Sequence, residues 1–159
     1  MIEPRISRIV SRWVRSILAT SSPESGVVYA GVFLSSMSKQ KLLKTFPPEH
    51  SVLWAHHMTV WHFKDPTEMP HLPWGKSVDL KVVGHFSDAR FQAVAVTPPS
   101  NLRPQGRFPH ISISTVEGVT PAASKDLAPA EVTPSRGLPS LKGVVGWVDA
   151  RGKVHFEQP

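Results

Sequence analysis

The stretch "WAHHMTVWHF", Trp54–Phe63, sets three histidines into a strand-like run, and one of them heads the triplet His57-Met58-Thr59. A second run, "FPHISIST", Phe108–Thr115, repeats the pattern as His110-Ile111-Ser112-Ile113: histidine, apolar residue, hydroxyl residue, apolar residue. Side chains of a strand alternate between its two faces. Each histidine therefore shares a face with its Thr or Ser, while Met58, Val60, Ile111 and Ile113 point into the core. If the two strands meet, they make a cleft floored by two imidazoles and two hydroxyls. Imidazole titrates near neutrality, so a neutral histidine can take a proton from an attacking water while a protonated one delivers a proton to the leaving oxygen. The hydroxyls can donate to non-bridging phosphate oxygens and hold the phosphorus in line. That inventory suits phosphate-ester chemistry and requires no metal or other cofactor. One such triplet arises by chance in any strand. Two copies in β-like runs, separated by most of a domain's core, are a stronger signal, set against two unrelated core or surface histidines.

Before the first motif, "VVYAGVFL" (Val27–Leu34) reads as a buried strand. "SMSKQKLLKTFPP" follows as a short helix, with Ser36 or Ser38 as N-cap and Pro47-Pro48 as the stop. "SVLWAHHMTVWHF" is expected as one long strand, leading into a Pro-rich loop from Asp65 to Gly75. "SVDLKVVGHF" and "RFQAVAVTP" flank the tight "SDAR" connection and predict a hairpin. After the second motif comes the turn-rich "VEGVTPAASKDLAP", and "LKGVVGWV" and "KVHFEQP" around Asp149–Gly152 predict another hairpin. No repeat of solenoid period is present. The pattern is α+β with few helices and mostly antiparallel pairs.

The 159 residues, 40% hydrophobic, fit one domain able to bury a core. Residues 1–26 stand apart as a basic amphipathic N-terminal helix and linker, leaving residues 27–159 as the domain. Ile6, Ile9, Val10, Trp13, Val14 and Ile17 recur at helical spacing, with Arg5, Arg8, Arg12 and Arg15 largely opposite. Such a helix suits organelle targeting, a membrane surface, an RNA contact, or docking on its own domain. Eighteen Lys and Arg against twelve Asp and Glu give a net charge of +6 and a pI of about 10.0, which favours polyanionic or phosphate-bearing partners. With no cysteine, disulfides, thiolate zinc sites and cysteine nucleophiles are excluded. No run approaches the roughly 18 apolar residues that cross a bilayer, so a soluble, cytoplasmic monomer is the expectation. Neither a Gly-rich phosphate loop nor a Gly-x-Ser-x-Gly elbow is present.

A metal site would need His56, His57 and His62 to converge, but strand alternation predicts His56 and His62 on one face and His57 on the other. His50, His71, His85 and His155 lack a companion pattern and read as structural histidines. Trp61 and Phe108 are expected on the faces of His57 and His110, where either could stack a nucleobase, although wall or core is the commoner role for such aromatics. Arg103 and Arg107, in the loop before His110, could meet a phosphate backbone or simply be solvated. Lys39 and Lys41 are weaker candidates.

The pair His57/Thr59 and His110/Ser112, preceded by the "YAGVFL" strand and its helix, resembles the two-histidine phosphoesterases, above all the cyclic-phosphodiesterase modules that accompany RNA and tRNA ligases. "VVGHFSDARFQAVAV" and "FPHISISTVEGVTPAASKDL" carry the likeness further, over roughly Val27 to Phe156. The resemblance implies a bilobal, pseudo-symmetric α+β fold with antiparallel sheets lining a central cleft. It implies metal-independent opening of 2′,3′-cyclic phosphates at RNA ends or on nucleotides. His57 and His110 would then be the acid/base pair, and Thr59 and Ser112 the phosphate grip. The second motif carries Ser112 rather than Thr, which keeps the hydroxyl. No ligase or kinase domain is present, so the module would act alone or with a separate RNA ligase or kinase chain. Cleavage of 2′-5′ oligoadenylates and non-catalytic binding of RNA or nucleotides stay open.

Overall fold

The computed structural model describes residues 26–62, 70–105, 108–126 and 131–159. The N-terminal basic helix expected within residues 1–26 lies, but for Gly26, outside them, as does Arg107.

Among the described residues nine strands appear: β1 (Val27–Leu34), β2 (Val52–Leu53), β3 (His57–His62), β4 (Ser77–Ser87), β5 (Phe91–Thr97), β6 (His110–Thr115), β7 (Thr133–Pro134), β8 (Ser140–Asp149) and β9 (Val154–His155). One α-helix, α1 (Ser36–Thr45), follows β1, and a 3-10 helix, Pro121–Asp126, follows β6. Six strands close on themselves in the order β1-β3-β6-β5-β4-β8, every pair antiparallel and β8 returning to β1. The remaining strands extend this barrel: β2 on β6, β7 on β4 and β9 on β8. The α+β composition with few helices is as expected. The described strands form one ring, closed where β4 pairs with β8, and do not by themselves show the bilobal, pseudo-symmetric division with antiparallel sheets lining a cleft.

Alternation explains what fills the ring. Met58, Val60, Ile111 and Ile113 are buried as expected, together with Val32, Leu80, Val94, Leu141 and Val145. Helix α1 adds Leu42 to the same core. Its N-cap is Ser35, one residue earlier than expected, whose hydroxyl accepts from the Ser38 backbone N–H at 3.2 Å. Ser38 in turn accepts from the Lys142 N–H at 2.7 Å, which ties the helix to β8. A smaller cluster of Val28, Tyr29, Trp54 and Val148 packs separately from the barrel core.

The strand expected over Ser51–Phe63 is broken. Ala55 has φ of 45°, a left-handed conformation that an alanine adopts only under constraint. It ends β2 and redirects the chain into β3. Ala55 is held there by its N–H on the Ser112 carbonyl at 2.8 Å and by complete burial.

Candidate active site

The two motif strands are neighbours. β3 and β6 pair antiparallel through a bridge between Met58 and Ile111. One step to either side of that bridge sets Thr59 across from His110 and His57 across from Ser112. The four residues thus form a square of alternating imidazole and hydroxyl. All four are partly buried, while the residues between them face the core.

The register outside the square repeats as well. On β1, Phe33, Val32 and Gly31 stand opposite His57, Met58 and Thr59, and the pairing then skips Val60. On β5, Ala95, Val94 and Ala93 stand opposite His110, Ile111 and Ser112, and the pairing then skips Ile113. The bulge therefore falls at the same place in both motifs, directly after the hydroxyl residue. A bulge kinks and twists its strand and re-aims the side chains around it. Gly31, Ala93 and Ala95 leave little bulk beside the square.

The first bulge overturns two expectations. Past Val60 the alternation of β3 reverses, so Trp61 turns into the barrel core, 4% exposed, instead of sharing the face of His57. It is no base platform. His62 correspondingly comes to the side of His57, with its ring centroid 6.3 Å from Tyr29. His57 itself stacks on Tyr29 at 4.8 Å and on Phe33 at 5.5 Å. The turn at Ala55 overturns a third expectation. His56 does not face away: its ring stacks on His57 at 4.5 Å, and the two Nδ1 atoms are in hydrogen-bonding contact. Although the histidines gather, no group of three or more His, Asp or Glu among the described residues is placed to hold a metal ion.

Hydrogen bonds orient both rings of the pair. The His110 Nδ1 lies 2.9 Å from the Phe108 carbonyl, and because a carbonyl only accepts, that nitrogen carries the proton. Nε2 of neutral His110 is therefore bare. Phe108 also stacks on this ring, with centroids 5.7 Å apart and planes 14° apart. The His57 Nε2 lies 3.1 Å from the Thr59 hydroxyl. Burial pulls the His57 pKa well below its ordinary value, and His56, His62 and His110 around it pull in the same direction. Burial also lowers His110, with the Phe108 carbonyl opposing the shift. Both imidazoles are therefore neutral in the free protein at pH 7. An anion in the square would raise either pKa and so admit one proton.

Of the other candidates, Arg103 is exposed on a loop fastened on both sides of it. Leu102 is buried in the core, and Gln105 donates its N–H to the Val60 carbonyl at 2.8 Å while its side-chain oxygen accepts from the His62 N–H at 3.1 Å. These anchors keep the arginine's backbone beside the end of β3. Lys39 on α1 is partly buried and near enough to His56 to lower that histidine's pKa. Lys41 is exposed. His85 stacks on Phe46 at 4.9 Å and His155 bonds Asp149 and Glu157, both away from the motifs in sequence and structural in kind. The residues that sequence reasoning missed are His56, Tyr29, Phe33 and the Phe108 carbonyl. Tyr29 and Phe33 lie four apart on the strand before the first motif, and that spacing was the one available signal.

Among solved structures, this fold is similar to one described as a fungal RNA kinase, with a TM-score of 0.51 and 14% sequence identity. The match covers 80% of this chain and 47% of that one, so the chain spans about half the length of the structure it resembles. At this identity the likeness is one of fold. No family model matches the sequence, and no curated protein matches it.

Proposed function

We propose that this chain is a phosphodiesterase of the two-histidine type, opening 2′,3′-cyclic phosphates at RNA ends or on nucleotides. The observation that supports it most is the Met58–Ile111 bridge, which sets His57, Thr59, His110 and Ser112 side by side with the same register and the same bulge on both strands. On this reading β1-β3 and β6-β5 are the paired halves of a two-histidine phosphoesterase domain.

The step needs only these side chains and water. A neutral imidazole Nε2 takes a proton from water as the water oxygen bonds to phosphorus. The bond from phosphorus to the ribose O2′ or O3′ breaks, and that oxygen takes a proton from the Nε2 of the second, charged imidazole. The product is a phosphomonoester, and the two rings, having exchanged protonation states, reset through solvent. Thr59 and Ser112 donate to the non-bridging oxygens. Each acid or base contributes about 10²–10⁴-fold. The net charge of +6 suits a polyanionic substrate, and a structural neighbour described as an RNA kinase supports a role linked to RNA. Phe108, Arg103 and Arg107 are the proposed contacts to the rest of the substrate, and a separate RNA ligase or kinase chain the proposed partner.

The deciding experiment incubates the full chain, in EDTA, with an RNA oligonucleotide ending in a 2′,3′-cyclic phosphate, beside His57→Ala and His110→Ala. Ring opening that each substitution abolishes is the expected result. Activity that EDTA removes and zinc restores would overturn the metal-free step. Nucleotide binding without turnover, here and on 2′-5′ oligoadenylate, would make the protein a binding module.

A further inference from the structure

We infer that His56 is a positioning residue that accepts the Nδ1–H of His57, holds that ring as the base of the pair, and so leaves the acid role to His110. The inference deepens the two-histidine reading and rests on it.

The local repeat carries the argument. On β6 the ring is held by the carbonyl of Phe108, two residues before the histidine, which fixes the proton on Nδ1 and leaves Nε2 to react. His57 occupies the matching register on β3, with its Nε2 beside the Thr59 hydroxyl. Its Nδ1 therefore needs an acceptor in the same place. The residue two before it is Ala55, whose left-handed φ turns the chain there. The His56 ring lies where an acceptor is wanted, in contact with His57 through Nδ1. Two Nδ1 atoms share one proton, so when His57 carries it, His56 accepts.

Among the described residues no other polar contact accounts for the His56 ring. Its edge packs against Trp54 at 6.3 Å, and its Nε2 is buried without a hydrogen-bond partner among the described residues. A buried polar atom left unsatisfied costs about 1–3 kcal/mol, and a left-handed alanine adds strain. Both are tolerated at a ring whose polar contact is with His57. Sites commonly store strain where geometry matters to function.

The two acceptors differ, and the difference sorts the roles. The carbonyl oxygen facing His110 stabilises a charged imidazole. His57 instead faces three further imidazoles, those of His56, His62 and His110, and Lys39 on α1 lies near His56. Burial and Lys39 hold His56 down to about 4, so it remains a neutral acceptor. A single proton delivered with the substrate therefore settles on His110, the acid. His57 stays bare at Nε2, the base. The orienting group is uncharged, which distinguishes it from the carboxylate that usually holds a catalytic histidine.

The test compares wild type, His56→Asn and His56→Leu as full chains. Asn offers an oxygen near the position of Nδ1, and Leu fills the space without an acceptor. The tautomer of His57 is read by long-range ¹H–¹⁵N NMR, and kcat and KM are measured on a nucleoside 2′,3′-cyclic phosphate. Wild type and His56→Asn should show protonated Nδ1 and bare Nε2. In His56→Leu the tautomer should shift toward Nε2–H and kcat fall about 10- to 100-fold, short of losing a whole acid or base, with KM unchanged. A diester with a p-nitrophenoxide leaving group needs no acid, so His110→Ala should keep most of its turnover on it and His57→Ala should not. An Nε2–H tautomer for His57 in wild type, or full kcat in His56→Leu, would overturn the inference. If wild type opens no cyclic phosphate, the proposed activity fails while the tautomer still decides the place of His56. If His56→Leu does not fold, wild type and His56→Asn decide it.

Discussion

Replacing Gly31 by Ala tests whether the approach of β1 to β3 sets the geometry of the square. Gly31 stands opposite Thr59, and a Cβ there would lie 2.5 Å from the Met58 carbonyl oxygen, against 3.4–4 Å for ordinary contact. The shortfall is about 0.9 Å. The obstacle is backbone, and Met58 is the residue that bridges to Ile111, so it cannot swing aside as a side chain could. Overpacking costs about 1–3 kcal/mol, and with no side chain to yield the upper end applies. For a chain of this size that lowers Tm by about 6–12 °C. The forced shift also reaches His57 and Thr59, where a misplacement of about 1 Å can cost about 100-fold in rate. Thermal melts and kcat on the cyclic-phosphate substrate would be measured beside Val32→Ala. That variant lies one residue along and empties about as much stability from the core, but pushes no strands apart. The expected result is a similar loss of Tm in both and a loss of kcat in Gly31→Ala alone. A Gly31→Ala protein with unchanged Tm and full turnover would refute the close approach and the coupling built on it.

Three further outcomes follow from the surroundings of the titratable groups. The kcat/KM profile should be a bell centred below pH 6.5, because both imidazoles are lowered in the free protein, and the kcat bell should sit higher, because bound phosphate raises them; coincident bells would contradict this. Stability should fall as pH drops below 6.5, since the unfolded chain then binds protons that buried His56, His57 and His110 refuse, and His56→Leu should flatten that slope in melts run across the window. Burial pushes the Asp149 carboxyl up, but hydrogen bonds from His155 and from the Lys153 and Arg151 N–H groups outweigh it and hold it low. Asp149→Ala should therefore cost about 2 kcal/mol at pH 7, seen as a Tm loss that shrinks as acid titrates the wild-type carboxylate; an equal loss at every pH would count against it.

Much of the site was legible because alternation is a local rule. Met58, Val60, Ile111 and Ile113 went to the core, and the two histidines kept their hydroxyl partners, wherever the strand ran unbroken. The hairpins around "SDAR" and Asp149–Gly152 were marked by turn residues and formed as β4-β5 and β8-β9. Failures fell where one residue broke the period. Nothing in an alanine signals a left-handed φ, since tertiary contacts impose it, yet Ala55 decides where His56 points. Nothing in a valine signals a bulge, yet Val60 decides that Trp61 is core and His62 is not on the expected face. Ring closure was hidden for another reason. The β4-β8 pairing joins residues about sixty apart, such as Leu80 and Leu141, and no local pattern encodes which strands meet.

A site built from two matching halves faces a difficulty, for matching halves give matching pKa values, and acid-base chemistry needs one ring charged and the other neutral. The chain separates them outside the square. On β6 the histidine is preceded by proline, and a carbonyl holds its ring. On β3 it is preceded by a second histidine, brought round by Ala55, and the ring is held by another imidazole. The four proposed reacting groups keep their pattern, and the difference lies in what surrounds them: the Phe108 carbonyl at His110, and around His57 the rings of His56 and His62, with Lys39 near His56. Substitutions at His56 should alter which ring carries the proton while leaving the phosphate grip proposed for Thr59 and Ser112 in place. Removing the Ser112 hydroxyl should act on that proposed grip alone, whereas Thr59 also touches the His57 Nε2: Ser112→Ala should raise KM and leave the position of the bell unmoved.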